Sequence, residues 1–147
     1  MTPEHHAMPM RIVPELICSD LQNSLSFYCG LLGFQVRYAR LEERFAFLDR
    51  AGAELMLEQP LSQDRLWPRA ELCYPFGRGM NLEIGVTDAE NLHGAVAAAG
   101  VTMFLPLETR WYRRDSDEIG VTQFAIQDPD GYLLRFSQAL GTRSFAT

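Results

Sequence analysis

The chain states one pattern twice, and that repetition limits its fold more than any other feature. PELICSD ends at Asp20 and LEIGVTD ends at Asp88. Glu15 aligns with Glu83, Leu16 with Ile84 and Asp20 with Asp88, an offset of 68 residues. In both copies an apolar run meets Ser-Asp or Thr-Asp. An aspartate there caps a helix, because its carboxylate accepts from the unpaired N–H groups of the first turn. Beyond it, Leu21, Leu25, Tyr28 and Leu32 recur at helical spacing in the first copy, and Ala89, Leu92, Val96 and Ala99 in the second. Each set predicts one buried helix face. Gly33 and Gly100 follow, suited to the left-handed position that ends a helix.

Three strand-like runs come after each glycine. They are FQVRYARL, RFAFLDR and ELMLEQ in the first copy, and VTMFLPL, VTQFAIQD and YLLRFSQ in the second. Gly52 and Gly131 open the last run of each copy, 79 residues apart, so the second copy carries extra residues in its middle. ETRWYRRDSDEIG, residues 108–120, is the expected inserted loop. The predicted fold class is α+β: two βαβββ modules forming a curved mixed sheet with helices on the convex side. The expected organisation is a flexible N-terminal arm (1–9), a first module (10–60), a linker (61–78), a second module (79–138) and a C-terminal tail (139–147). His5 and His6 fall in the arm and read as tail residues rather than metal ligands.

Because side chains alternate along a strand, each run divides into a helix-facing and a cavity-facing set. Leu16 and Cys18 face the helix, leaving Val13, Glu15 and Ile17 for the cavity. Leu82, Ile84 and Val86 pack inward, leaving Asn81, Glu83 and Gly85. Leu55 and Leu57 pack, leaving Glu54, Met56 and Glu58. Leu134 and Phe136 pack, leaving Leu133, Arg135 and Ser137. The predicted concave face thus sets Glu15, Glu54, Glu58 and Glu83 against Arg135, an arrangement that attracts a cation. Phe45 and Phe47 share one face of their strand, as core or as stacking rings. Trp67 in the linker, and Trp111 with Tyr112 in the insertion, are candidate rim aromatics. Arg113 and Arg114 beside them oppose a cation unless the following acidic residues offset them.

Charge and cysteine content narrow the partners. The net charge is −6, unlike the basic balance of nucleic-acid binders. Cys18, Cys29 and Cys73 form no paired motif, so a reducing cytoplasm is the expected compartment. No apolar run suggests a signal peptide or a membrane span, so no membrane partner is expected. There is no GxSxG, no glycine-rich phosphate loop and no cysteine with a plausible histidine partner. Asp128 and Asp130, in Asp-Pro-Asp-Gly, read as turn chemistry rather than a catalytic pair.

The doubled βαβββ pattern, SDLQNSLSFYCGLLGF and the closing DPDGYLLRF together resemble the glyoxalase / bleomycin-resistance / dioxygenase superfamily, also called vicinal oxygen chelate. FAFLDRAGAELMLEQ and DPDGYLLRFSQ are similar to its bleomycin-resistance branch. The resemblance spans residues 11–138. In the superfamily's enzymes, it implies, a divalent metal is held from four strand positions, which here are Val13, Met56, Asn81 and Arg135. Val13 offers no ligand atom, Met56 only a soft thioether, Asn81 a weak oxygen donor and Arg135 a permanent cation. The resemblance therefore implies no metal and no cofactor. It implies instead a homodimer that sequesters a bleomycin-type cationic antibiotic in a cleft without catalysis. The ligand-binding residues would be Glu15, Phe45, Phe47, Glu54, Met56, Glu58, Trp67, Asn81, Glu83, Trp111, Tyr112 and Arg135. The alternatives are a divalent-metal-dependent glyoxalase- or dioxygenase-type enzyme, and a binding module for another flat or cationic metabolite.

Overall fold

A computed structural model describes residues 10–63, 66–68 and 70–145. The arm expected at 1–9, with His5 and His6, lies outside the described residues. The first module runs β1 (Glu15–Ile17), α1 (Leu21–Leu25), β2 (Gln35–Arg40), β3 (Phe45–Arg50) and β4 (Ala53–Glu58). The second runs β5 (Asn81–Gly85), α2 (Ala89–Ala98), β6 (Met103–Arg114), β7 (Asp117–Gln127) and β8 (Leu133–Ser144). Each module closes its own four-stranded sheet in the same order, β1-β4-β3-β2 and β5-β8-β7-β6. Parallel pairing of β1 with β4 and of β5 with β8, and antiparallel pairing elsewhere, makes both sheets mixed. The α+β fold of two βαβββ modules is therefore as expected. Among the described residues no helix is long and apolar enough to cross a membrane.

The alternation read from the sequence sets which face each strand buries. Leu16, Ala46, Leu48, Leu55 and Leu57 from the first sheet join Ile84, Phe124, Ile126, Leu134 and Phe136 from the second in one core. Leu21, Tyr28 and Leu32 join it from the first module's helical segment and Ala89, Leu92 and Val96 from α2. Ala99, expected on the buried face of α2, is its exposed C-cap. The first helix also departs from expectation. It is α-helical only to Leu25 and then widens into a π-type turn, Ser26–Leu31. That wider turn still leaves Tyr28 and Leu32 fully buried.

Both helices start with the same clasp. The Asp20 carboxylate accepts from the Asn23 N–H at 3.1 Å, and Asp88 from Asn91 at 3.0 Å. The Leu21 N–H donates to the Gln59 side-chain oxygen at 3.0 Å, and Ala89 to Gln138 at 2.9 Å. Gln59 directly follows β4 and Gln138 lies within β8, so strand and helix are tied within each module.

The turns before β4 and β8 have diverged. Asp49 in the first accepts locally from the Gly52 N–H at 3.3 Å, on the surface. Asp-Pro-Asp-Gly in the second reaches across to the first module. Asp128 accepts from the Asp130 and Tyr132 N–H groups at 2.8 and 3.0 Å, and from the Tyr28 hydroxyl at 2.7 Å. Asp130 accepts from both the amide and the hydroxyl of Ser19. The Tyr132 hydroxyl donates to the Ile17 carbonyl at 2.9 Å. The turn reading of the two aspartates is correct, and the turn also fastens one module to the other.

Two boundaries need correction. Residues 108–120 do not form a loop. They belong to β6 and β7, which pair from Glu108–Gln123 to Arg114–Asp117 and turn at Asp115 with φ 52°. The tail placed at 139–147 begins as strand, since β8 continues to Ser144 and pairs Ser144 with Asp117. This three-stranded ribbon is largely exposed, so it has no apolar alternation for a sequence pattern to reveal.

Candidate functional site

The face of the first sheet opposite the core carries two cross-strand rows. Pairing aligns Glu15, Met56, Phe47 and Tyr38 in one row, and Ile17, Glu58, Phe45 and Arg40 in the next. Cross-strand neighbours on one face touch. Phe45 and Phe47 are only 5 % and 4 % exposed, yet they lie outside the core cluster. What covers them is cationic and aromatic. Tyr38 stacks on Phe47 with centroids 5.1 Å apart. The Arg40 guanidinium lies 4.1 Å from the Phe45 centroid, and Arg11 and Arg37 lie 5.6 and 6.0 Å from that of Phe47. The two phenylalanines are therefore not open stacking rings. The open ring of this shelf is Tyr38, 51 % exposed. Sequence reasoning passed over it, although QVRYAR sets Tyr38 and Arg40 on one face of the edge strand.

Four glutamates were expected together, and they divide. Glu15 and Glu58 interact directly. The hydrogen bond with Glu58 raises the Glu15 pKa first, partial burial and the Glu58 charge add to this, and Arg40 opposes it. A neighbouring carboxylate favours the neutral form of Glu15. Glu54 is spent in ion pairs with Arg11 and Arg37, both at 3.0 Å. Glu83 lies with Glu54 along a crevice of about 270 Å³ between the modules, bordered by Ile12, Pro14 and Phe34. Trp67, 84 % exposed, borders a separate cavity of about 260 Å³ together with Glu15, Met80 and Tyr132. Trp67 and Glu15 are thus brought together.

On the second sheet the centre of the open face is Arg135. It pairs in register with Glu83, and its guanidinium lies 3.5 Å from that carboxylate. It donates to the Gln123 side-chain oxygen at 3.0 Å. Gln123 is 1 % exposed and fully engaged, donating to Glu108 at 2.9 Å and to the Tyr112 hydroxyl at 2.7 Å. Tyr112 thus belongs to this network. Trp111 does not: it lies over Gly120 with the Arg143 guanidinium 4.1 Å from its ring. It is a ribbon residue rather than a loop-borne rim aromatic. Asn81 is exposed beside Leu133, at the end of the same face. Gln123 was missed in the sequence, where its place on the Arg135 face of β7 was the available signal. Arg113 and Arg114 sit at the ribbon tip, and Arg114 pairs with Asp117 at 2.9 Å.

The four positions that the resemblance assigns to metal ligands do not make a divalent-metal site. Met56 lies between Glu15 and Phe47, and the Arg135 cation is fixed by Gln123 beside Glu83. Hard and borderline cations need oxygen, imidazole or thiolate donors, and a guanidinium opposes them. Among the described residues, no three His, Cys, Asp or Glu side chains converge to hold a metal ion.

Comparison with known proteins gives the family. The model of the glyoxalase/bleomycin resistance protein/dioxygenase superfamily matches residues 5–136. A superfamily member from Vibrio splendidus 12B01 is 38% identical, with 88% of this chain and 98% of that one covered and a TM-score of 0.40. A protein of unknown function from Agrobacterium tumefaciens is 23% identical, covers 92% and 98% of the two chains, and shares the fold at a TM-score of 0.69. The fosfomycin resistance protein FosX from Listeria monocytogenes shares it at 14% identity and a TM-score of 0.58, covering 90% of this chain and 94% of its own. No protein of curated function matches significantly. The doubled module, the shared strand order and the family match over nearly the whole chain place it in the glyoxalase/bleomycin resistance protein/dioxygenase superfamily.

Proposed function

We propose that this chain is a non-catalytic binding protein of the superfamily, which sequesters a flat, cationic small molecule of the bleomycin class in a cleft of a homodimer. The observation that carries this reading is the chemistry of the four metal-ligand positions. With Val13, Met56, Asn81 and Arg135 there, those four positions lack the set of donors that divalent-metal catalysis requires. The first sheet supports the choice of ligand. Its aromatic rings already draw the protein's own guanidinium groups onto them, as a cation-binding shelf would. Tyr38 and Trp67 remain open for stacking, and Glu15 with Glu58 supplies negative charge. A cytoplasmic location suits such a role.

The test is a titration with a bleomycin-class drug followed by tryptophan fluorescence, with sedimentation to measure assembly. Drug binding should quench the signal, weaken as salt rises, and be reduced in Trp67→Ala and Tyr38→Ala. A dimer is the expected species. One tightly held divalent ion per purified chain, or no quenching at high micromolar drug, would refute this function.

A further inference from the structure

Residues 74–80 are clamped to the start of β8 and set one cation among exposed apolar side chains. The Phe76 N–H donates to the Asp130 carbonyl at 2.8 Å, and the Phe76 ring meets Tyr132 edge-on with centroids 5.9 Å apart. The Met80 N–H donates to the Gly77 carbonyl at 3.0 Å, closing a tight turn with Arg78 and Gly79 at its centre. Gly79 takes φ 87°, a value that glycine adopts freely. A Cβ on Gly77 would fall 2.6 Å from the Tyr132 ring, so the turn lies hard against that ring. A cavity of about 240 Å³ opens beside the turn, and its lining includes Phe76, Arg78, Met80, Phe104, Gln127 and Leu133. Phe104 and Met80 are 67 % and 48 % exposed. Apolar side chains held open around a cavity mark a surface that a ligand covers. Arg78 is the only charged residue among the described residues that line it. One of its five donors goes to the Tyr74 carbonyl at 3.0 Å. Among the described residues it has no carboxylate partner.

We propose that this cavity binds a small aryl carboxylate, with its ring against Phe104, Met80 and Leu133 and its carboxylate on Arg78. The site stands apart from the antibiotic function proposed above and needs neither a cation nor a second chain. Charge selects the class of ligand. Asp128 and Asp130, in the adjoining turn, are buried and spend their carboxylates on Tyr28, Ser19 and backbone amides. Gln127 is neutral and donates to the Gly131 carbonyl at 3.3 Å. An incoming carboxylate therefore meets no like charge in the lining, and the planar fork of arginine offers it two parallel donors. Size selects within the class. The cavity is smaller than the pockets that hold drug-sized ligands, so it suits one ring or two fused rings. The same turn also walls the Trp67 cavity, where Glu15 is the only charged residue among the described lining. Gly77 and Met80 thus separate a cavity that favours a cation from one that favours an anion.

The test is an amide NMR titration of the full chain with benzoate, 2-naphthoate and benzylammonium. The Phe104, Gln127 and Leu133 amides are the reporters, because these residues line this cavity and not the Trp67 one. Saturable shifts there with either carboxylate, and none with benzylammonium, support the proposal. Arg78→Gln should weaken carboxylate binding roughly tenfold, and Phe104→Ala several-fold. Both side chains are exposed, so both variants should fold. Arg110→Gln, an exposed arginine outside this lining, should leave binding unchanged. Absence of shifts with both carboxylates, equal shifts with benzylammonium, unchanged affinity in Arg78→Gln, or an equal loss in Arg110→Gln overturns the site.

Discussion

Replacing Asp128 tests how the two modules are held together. Its carboxylate accepts three hydrogen bonds, from the Asp130 and Tyr132 amides and from the Tyr28 hydroxyl, all at 3.0 Å or less. Tyr28 is fully buried, so its hydroxyl has no water to turn to. Asp128→Ala leaves three donors unpaired in a buried place, each costing about 1–3 kcal/mol. Part of that loss is offset, because burial already disfavours the charged carboxylate and raises its pKa. A net destabilisation of about 3–5 kcal/mol is the expected result. For a chain of this length that lowers the Tm by roughly 10 °C. Asp128→Asn keeps one acceptor oxygen for the two amides, and its cost should stay near about 1 kcal/mol. Urea unfolding followed by tryptophan fluorescence gives both values. An Ala variant less than about 1 kcal/mol destabilised, or an Asn variant as unstable as Ala, would refute the fastening role.

A Cβ at Gly120 would fall 2.7 Å from the Trp111 ring, so Gly120→Ala should displace that indole from beneath Arg143 and destabilise the ribbon by about 1–3 kcal/mol. Near-ultraviolet circular dichroism should lose the Trp111 contribution, and an unchanged spectrum would count against the close stack. Glu15 gives a pH signature. Its folded pKa lies above the ordinary glutamate value, mainly through the hydrogen bond with Glu58, so the folded state binds the proton more tightly than the unfolded one. The stability linked to the Glu15 proton is fully present below the ordinary value and is lost as pH rises through the raised one. Glu15→Gln should flatten that slope in denaturation measured across mildly acidic pH. A slope equal to that of the parent would refute the raised Glu15 pKa.

The sequence revealed most where one face of an element is apolar. The alternation in ELMLE and YLLRF separated Leu55, Leu57, Leu134 and Phe136 from Met56 and Arg135 correctly, because a half-buried strand must alternate. The repeated Asp after a strand gave both helix starts, because capping is local chemistry. Longer-range facts were hidden. The ribbon from Glu108 onward has exposed outer strands and a central strand that is only half-buried, and it carries charge where a core-facing strand carries leucine. The fate of Phe45 and Phe47 depended on which neighbours cover them. Only the register of β2 brings Tyr38 and Arg40 there. Trp111 went astray for the same reason: its partners, Gly120 and Arg143, come from two other strands. The ligand positions could be judged from residue type alone, whereas the tie from Arg135 through Gln123 to Tyr112 required cross-strand pairing.

The two turns that precede β4 and β8 began as copies and now differ in what they hold. Asp49 closes a turn on the surface and touches only its own hairpin. Asp128, at the equivalent place, is bonded to a tyrosine of the other module. The duplicated halves therefore carry unequal structural loads at matching positions. Drift at the first turn disturbs one hairpin, while drift at the second loosens the joint between the halves. Among diverging relatives of this chain, substitutions should accumulate at the first turn well before its twin.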